Sequence, residues 1–217
     1  MPDAHRATLA GVAPVVVDPK LTRSFRDARA FEAWLSAHHA SADALWLKIH
    51  KKGSGKPTVA YAEAVDIALC WGWIDGIVKG FDESSFVQRF TPRRPKSVWS
   101  AINRDHVARL VAAGRMTEHG LAHVESAKKD GRWANAYTPI REASAEGLPE
   151  DLRAAIAASP KAKALLPRLN RQNLFALSFR TNAMKTPAGR ARKIAALVAM
   201  LERGETVVPQ TSLAADA

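Results

Sequence analysis

The chain has 217 residues, enough for one large domain or two small ones. An apolar share of 47% supports a sizeable core and excludes global disorder, and a single cysteine excludes an intrachain disulfide framework. The formal net charge of +11 argues for solubility and for non-specific attraction to polyanions, not for one partner.

That charge is uneven. Residues 51–115 carry a net +5 and residues 151–217 a net +7, while residues 116–150 are mildly acidic. The longest apolar run, Ile194 to Leu201, is eight residues, too short to span a bilayer. The first residues lack the charged-then-apolar order of a secretory signal, so the expectation is a cytoplasmic protein with no membrane span.

In chain order, residues 1–13 read as a disordered tail. Val15-Val16-Val17 reads as a short strand, and Phe25 ends a second extended piece. Asp27 is placed to cap a helix to about Ala40, with Phe31, Trp34, Leu35 and His38 on its buried face. Ala44 to His50 alternates as a strand. Lys51 to Lys56 is a basic, glycine-bearing turn. Thr58 is expected to cap a helix to Cys70. Ile77-Val78 and Phe86 to Phe90 read as two strands around a turn at 82–85. Arg89 to Lys96 holds four cations and two prolines, and is expected to be a shaped loop. Ser97 or Ser100 caps a helix to about Ala113, and Thr117 caps the next, which Gly131 stops.

After a polar linker the chain turns all-helical. Helices are expected over 149–158, 161–169 and 170–179. A last one starts from Thr186 and Pro187 and stops before Gly204, with Ala191, Ile194, Val198 and Leu201 buried. The expected class is α+β: a small antiparallel sheet with packed helices over 14–140, a linker over 141–148, a helical module over 149–205, and a tail over 206–217.

With these elements in place, four motifs resemble the YdeI/OmpD-associated (bacteriocin-protection) family: Leu69-Cys70-Trp71-Gly72-Trp73-Ile74-Asp75-Gly76, the stretch Arg89 to Asn103, Gly114-Arg115-Met116-Thr117, and Asp130-Gly131-Arg132-Trp133. Their order and spacing match over residues 25–137. The tail is similar to the family's helical module in Asn173, Arg180, Lys185-Thr186-Pro187 and Arg190 to Ile194. It departs at Ala188-Gly189, where members carry an acidic residue, and at Ala134-Asn135. The resemblance implies a role in bacteriocin or cationic-peptide protection or in stress resistance, with no assigned biochemistry and no cofactor. Direct capture of cationic peptides by a chain of net +11 is electrostatically disfavoured.

The candidate ligand site comprises Trp71, Trp73, Asp75, Arg89, Thr91, Arg93, Lys96, Ser97, Trp99, Asn103 and Arg115. Guanidinium forks suit carboxylate or phosphate, and tryptophan faces suit a ring or the guanidinium itself. This reads as a site for a small anionic ligand or a protein partner. The competing reading is a structural network, with Asp75 paired to Arg89 or Arg93 and the tryptophans in the core. An enzyme using the same pocket would draw on Glu63 or Asp75 as acid/base. Cys70 sits in an apolar setting that suits a buried, inert thiol. His119 and His123 have i, i+4 spacing but no third ligand nearby, so no metal is expected. The basic blocks predict weak, non-specific nucleic acid binding, without any helix-turn-helix, ribbon or RNA-binding motif.

Overall fold

The computed structural model describes residues 15–210. The tail expected over 1–13 and the end of the one expected over 206–217 lie outside them. The described residues form an α+β fold with a four-stranded mixed sheet, packed helices and a helical C-terminal region. Two compact units divide the chain. One holds residues up to Arg94 together with Met116–Leu121, and the other holds Pro95–Arg115 and everything from Ala122 onward.

The first unit opens with β1 (Thr22–Ser24), which leads into α1 (Ala28–His38) and on to β2 (Leu45–His50). Asp27 caps α1 as expected, its Oδ1 accepting the Ala30 N–H at 2.8 Å. Phe31 and Leu35 are fully buried. The helix is a crossover, so β1 and β2 pair in parallel. That makes the sheet mixed where an antiparallel one was expected. Val15–Val17 forms no strand. Three residues without a pairing partner gain no ladder to hold them extended.

α2 (Tyr61–Cys70) is apolar on nearly all sides, and Ala64, Val65 and every residue from Ile67 to Cys70 are buried. Its N-cap is Ala60, not Thr58. The Thr58 hydroxyl accepts the His50 N–H at 3.3 Å, and the Glu63 carboxylate takes the Ala60 N–H at 3.0 Å. Gly72, at φ +72°, then reverses the chain in a conformation that favours glycine.

β3 (Trp73–Asp82) and β4 (Ser85–Pro92) form a hairpin, and the sheet order is β1-β2-β4-β3. This corrects the basic-loop reading, because Arg89, Phe90 and Thr91 lie in a central strand. Pairing of β2 with β4 stops at Leu45 opposite Phe90, so no β2 residue opposes Pro92. A proline there removes no bond to β2, and the strand tolerates it as its last residue. Only Arg93 to Lys96 is left as loop.

In the second unit Ser100 caps α3 (Ala101–Ala112), its hydroxyl accepting the Asn103 N–H at 3.1 Å. α4 (Glu118–Lys129) starts from Thr117, and its first residues, to Leu121, belong to the first unit. Four further helices follow: α5 (Glu150–Ala157), α6 (Pro160–Leu165), α7 (Arg171–Asn182) and α8 (Pro187–Glu202). Their core joins Leu152, Ile156, Leu165, Leu177, Ile194 and Leu201. Leu148 is buried in the same cluster, so the polar stretch 141–148 packs against the helices. On α8, Ile194, Leu197 and Leu201 are buried, whereas Ala191 is exposed.

Candidate functional site

In the first unit two of the motifs, those holding Cys70 and Thr117, meet at one carbonyl. Cys70 O accepts the Thr117 hydroxyl at 2.5 Å and the Thr117 N–H at 3.3 Å. Gly120 packs directly on it. A Cβ at Gly120 would lie 2.3 Å from Cys70 O and 2.7 Å from Leu69 O, so only glycine fits there. Thr117 therefore caps α4 and ties that helix to the end of α2.

This junction assembles three rings. Trp71 and His39 have centroids 4.9 Å apart, His39 and His119 4.1 Å, and Trp71 and His119 6.0 Å. His39 Nδ1 donates to Leu35 O at 3.1 Å, because a carbonyl can only accept, and its Nε2 is left for other partners. Trp71 Nε1 is buried and has no hydrogen-bond partner among the described residues. Trp73 is core, 1% exposed, and donates its indole N–H to His39 O at 3.1 Å. Its ring meets Trp34 edge-on at 5.9 Å.

Asp75 is paired with neither arginine proposed for it; its Oδ2 accepts the Tyr61 hydroxyl at 2.7 Å. Burial, then the hydrogen bond and the charge of Asp75, hold the Tyr61 phenol well above its usual ionisation range. Tyr61 sits at the start of α2, fourteen residues from Asp75, and was not among the candidate residues. Arg89 is half-buried opposite Trp46, and Thr91 is half-buried opposite Ile74. Arg93 is buried, with its N–H bonded to Gly72 O at 2.9 Å. Glu63 is engaged in capping, and Cys70 is fully buried.

The remaining candidates lie in the second unit. Lys96 and Arg115 are exposed, and Ser97 and Asn103 are half-buried. Trp99 is core, 2% exposed, and meets Trp133 at 4.9 Å. The Asp130-Gly131-Arg132-Trp133 motif has a structural task here. Arg132 holds Asp130 through Nε at 2.8 Å and donates Nη1 to Ser97 O at 2.8 Å. The Asp130 carboxyl is accordingly held below its ordinary value, chiefly by the Arg132 hydrogen bond. The sequence signalled this clamp only as a motif.

The helical module carries a groove of about 610 Å³ between α5 and α8. Its floor is Ala155, Ala191, Ile194, Ala195, Val198 and Ala199. At one end Arg190 grips Asp151 through Nε at 2.5 Å and Nη2 at 2.8 Å, and also donates Nη1 to Thr181 O at 3.1 Å. That bond holds the Asp151 carboxyl below its usual value. At the other end Glu202 accepts the Ser159 hydroxyl at 2.7 Å. Asn173, fully buried, bonds Val208 through both its amide nitrogen and its oxygen, fastening the chain beyond α8 onto α7. The groove was not legible in the sequence, where Ala191, Ile194 and Val198, three of its lining residues, read as part of the buried face of α8.

Residues 147–204 match the family described as bacteriocin-protection, YdeI or OmpD-associated. Residues 23–123 match a domain of unknown function, DUF8412. No curated protein and no solved structure matches the chain. The matched segment contains Asn173, Thr186 and Arg190, which here fasten the chain beyond α8, cap α8 and clamp Asp151.

Proposed function

Taking residues 147–204 as a bacteriocin-protection, YdeI or OmpD-associated module, we propose that the chain is a protection protein that binds a protein partner rather than turning over a substrate. The α5–α8 groove carries this reading. It lies within the family-matched segment and has an apolar floor. Its fitting occupant is one amphipathic helix of the partner. The sixteen residues of α8 offer about 24 Å of length at 1.5 Å per residue. The alanines at 191, 195 and 199 let a second backbone approach closely. The two acid/base candidates are otherwise engaged, Glu63 capping α2 and Asp75 accepting the Tyr61 hydroxyl.

The test is survival of bacteria expressing the chain when challenged with a pore-forming cationic peptide. The expected result is protection by the native chain and its loss in Ala195→Trp, which fills the groove, with an unchanged melting temperature. Undiminished protection by that variant would sink the reading.

A second reading keeps a small anionic ligand at the tryptophan motif. The unpartnered, buried Trp71 N–H beside His39 and His119 favours it, since a carboxylate or phosphate oxygen would satisfy that donor. Its test is thermal stabilisation by inorganic phosphate, absent in Trp71→Phe. A null shift with the native protein removes it.

A further inference from the structure

The hairpin end of the first unit's sheet combines apolar side chains with lysines in a way the preceding functions do not use. Ile77 is 42% exposed and Phe81 48%, two of the large apolar residues left in solvent. Lys48 and Lys79 both pair with Val87 and so share one face of the sheet; Phe81 lies against Lys48 there, and Ile77 stands two residues before Lys79 at the first irregularity of the same strand. Lys79 Nζ donates to Val15 O, which brings the exposed Val16 beside them. On the same face Lys48 Nζ lies 4.4 Å from the centre of the Phe81 ring and pairs with Asp82 at 3.0 Å. Lys51 ties the Lys51–Lys56 turn to the hairpin tip, its N–H bonding Ser84 O at 2.8 Å and its Nζ bonding Glu83 O at 3.0 Å. Lys52 and Lys56 project from that turn and are exposed. Five lysines thus stand around the patch against two acids, Asp82 and Glu83, the first already neutralised by Lys48.

β3 is the outer strand next to β4, but strand addition by another protein is blocked. Its register is broken between Asp75 and Val78 and again between Gly80 and Asp82, and Lys79 lies between the breaks. Irregularities and an edge lysine are the devices that prevent edge pairing. Nucleic acid is a poorer fit, because Ile77 and Val16 are aliphatic and offer no face for base stacking and no base-edge hydrogen bonds. Aliphatic and phenyl groups ringed by lysines suit the boundary of an anionic bilayer. There the apolar groups leave water while ammonium groups meet phosphates.

We propose that the β3–β4 hairpin end, through Ile77, Phe81 and the surrounding lysines, docks peripherally on anionic lipid bilayers. No helix among the described residues is long and apolar enough to cross a membrane, so this contact is a surface one. The test uses the full chain and vesicles of phosphatidylcholine alone or with phosphatidylglycerol, read by co-flotation in 0.1 M salt. Binding is expected only with phosphatidylglycerol present. Lys51→Gln/Lys52→Gln/Lys56→Gln is expected to weaken it about 100-fold. Ile77→Ser/Phe81→Ser is expected to weaken it about 10-fold or more with the lysines intact.

Failure of the native chain to float with phosphatidylglycerol overturns the proposal. So does binding that needs the lysines but ignores Ile77→Ser/Phe81→Ser, which would mark a general polyanion surface. Binding that survives both variants places the contact elsewhere and also overturns it. Phe81→Trp gives a reading that does not depend on loss of binding. Its added fluorescence is expected to be quenched by brominated phosphatidylglycerol, and no added quenching refutes insertion.

Discussion

At the scale of single residues, the tightest constraint is at Gly120. Its missing Cβ leaves room for Cys70 O, which Thr117 also grips. Gly120→Ala places a carbon against backbone that cannot swing aside, and is expected to cost about 2–4 kcal/mol in urea unfolding. The sequence showed that glycine only as a helix-interior residue, because the close approach is made by a segment fifty residues away. Tyr61 and Asp75 were invisible as a pair for the same reason. Their hydrogen bond is worth about 1 kcal/mol in this half-exposed setting. Because the folded phenol ionises above the ordinary 10.0, the unfolded chain loses its proton first as pH rises. The pair's contribution is therefore complete below pH 10 and declines above it. Tyr61→Phe is expected to lower the urea midpoint at pH 7 and to flatten its fall between pH 10 and 11.

Elements were more legible than contacts. Asp27, Ser100, Thr117 and Thr186 each cap the helix expected of them, because a cap is a local bargain between one side chain and the next turn. Thr58 failed as a cap because its hydroxyl is claimed by β2, a tertiary partner that no local pattern reveals. Pro92 misled in the same way. It reads as a strand breaker unless one knows that β2 ends before reaching it. The candidate site was legible as a set of motifs but not as a pocket, since Trp73 and Trp99 proved to be core while Asp75 found a partner on α2. In the helical module, Asp151 is held below its ordinary 3.8 by Arg190. The clamp's contribution is present above pH 4 and is lost as pH falls, because the unfolded carboxylate takes up its proton first. Arg190→Gln is expected to lower the thermal midpoint at pH 7 and to reduce its dependence on pH between 5 and 3, as followed by circular dichroism.

For the whole molecule, the charge of +11 has two separate sources. In the first unit lysines cluster at one hairpin end, whereas in the helical module basic side chains are spread along α6, α7 and α8. Spread cations attract any polyanion weakly and through counterion release. Retardation of duplex DNA is therefore expected at about 50 mM salt, irrespective of sequence, and is expected to vanish by about 200 mM. Retardation of one sequence that persists at 200 mM would contradict this. The division into two units falls between Arg94 and Pro95, just past the end of β4. The polar stretch 141–148 became part of a core through one leucine, Leu148.

Cys70 is the chain's single thiol, and it sits fully buried in the first unit, its own carbonyl held by Thr117 and packed on Gly120. It therefore serves as a built-in clock for the opening of that unit. A thiol reagent added to the native protein is expected to react only as fast as the unit opens, at a rate independent of reagent concentration once the reagent is in excess. Gly120→Ala, by pushing against the Cys70 and Leu69 carbonyls, is expected to speed that clock before any change appears in the helical module.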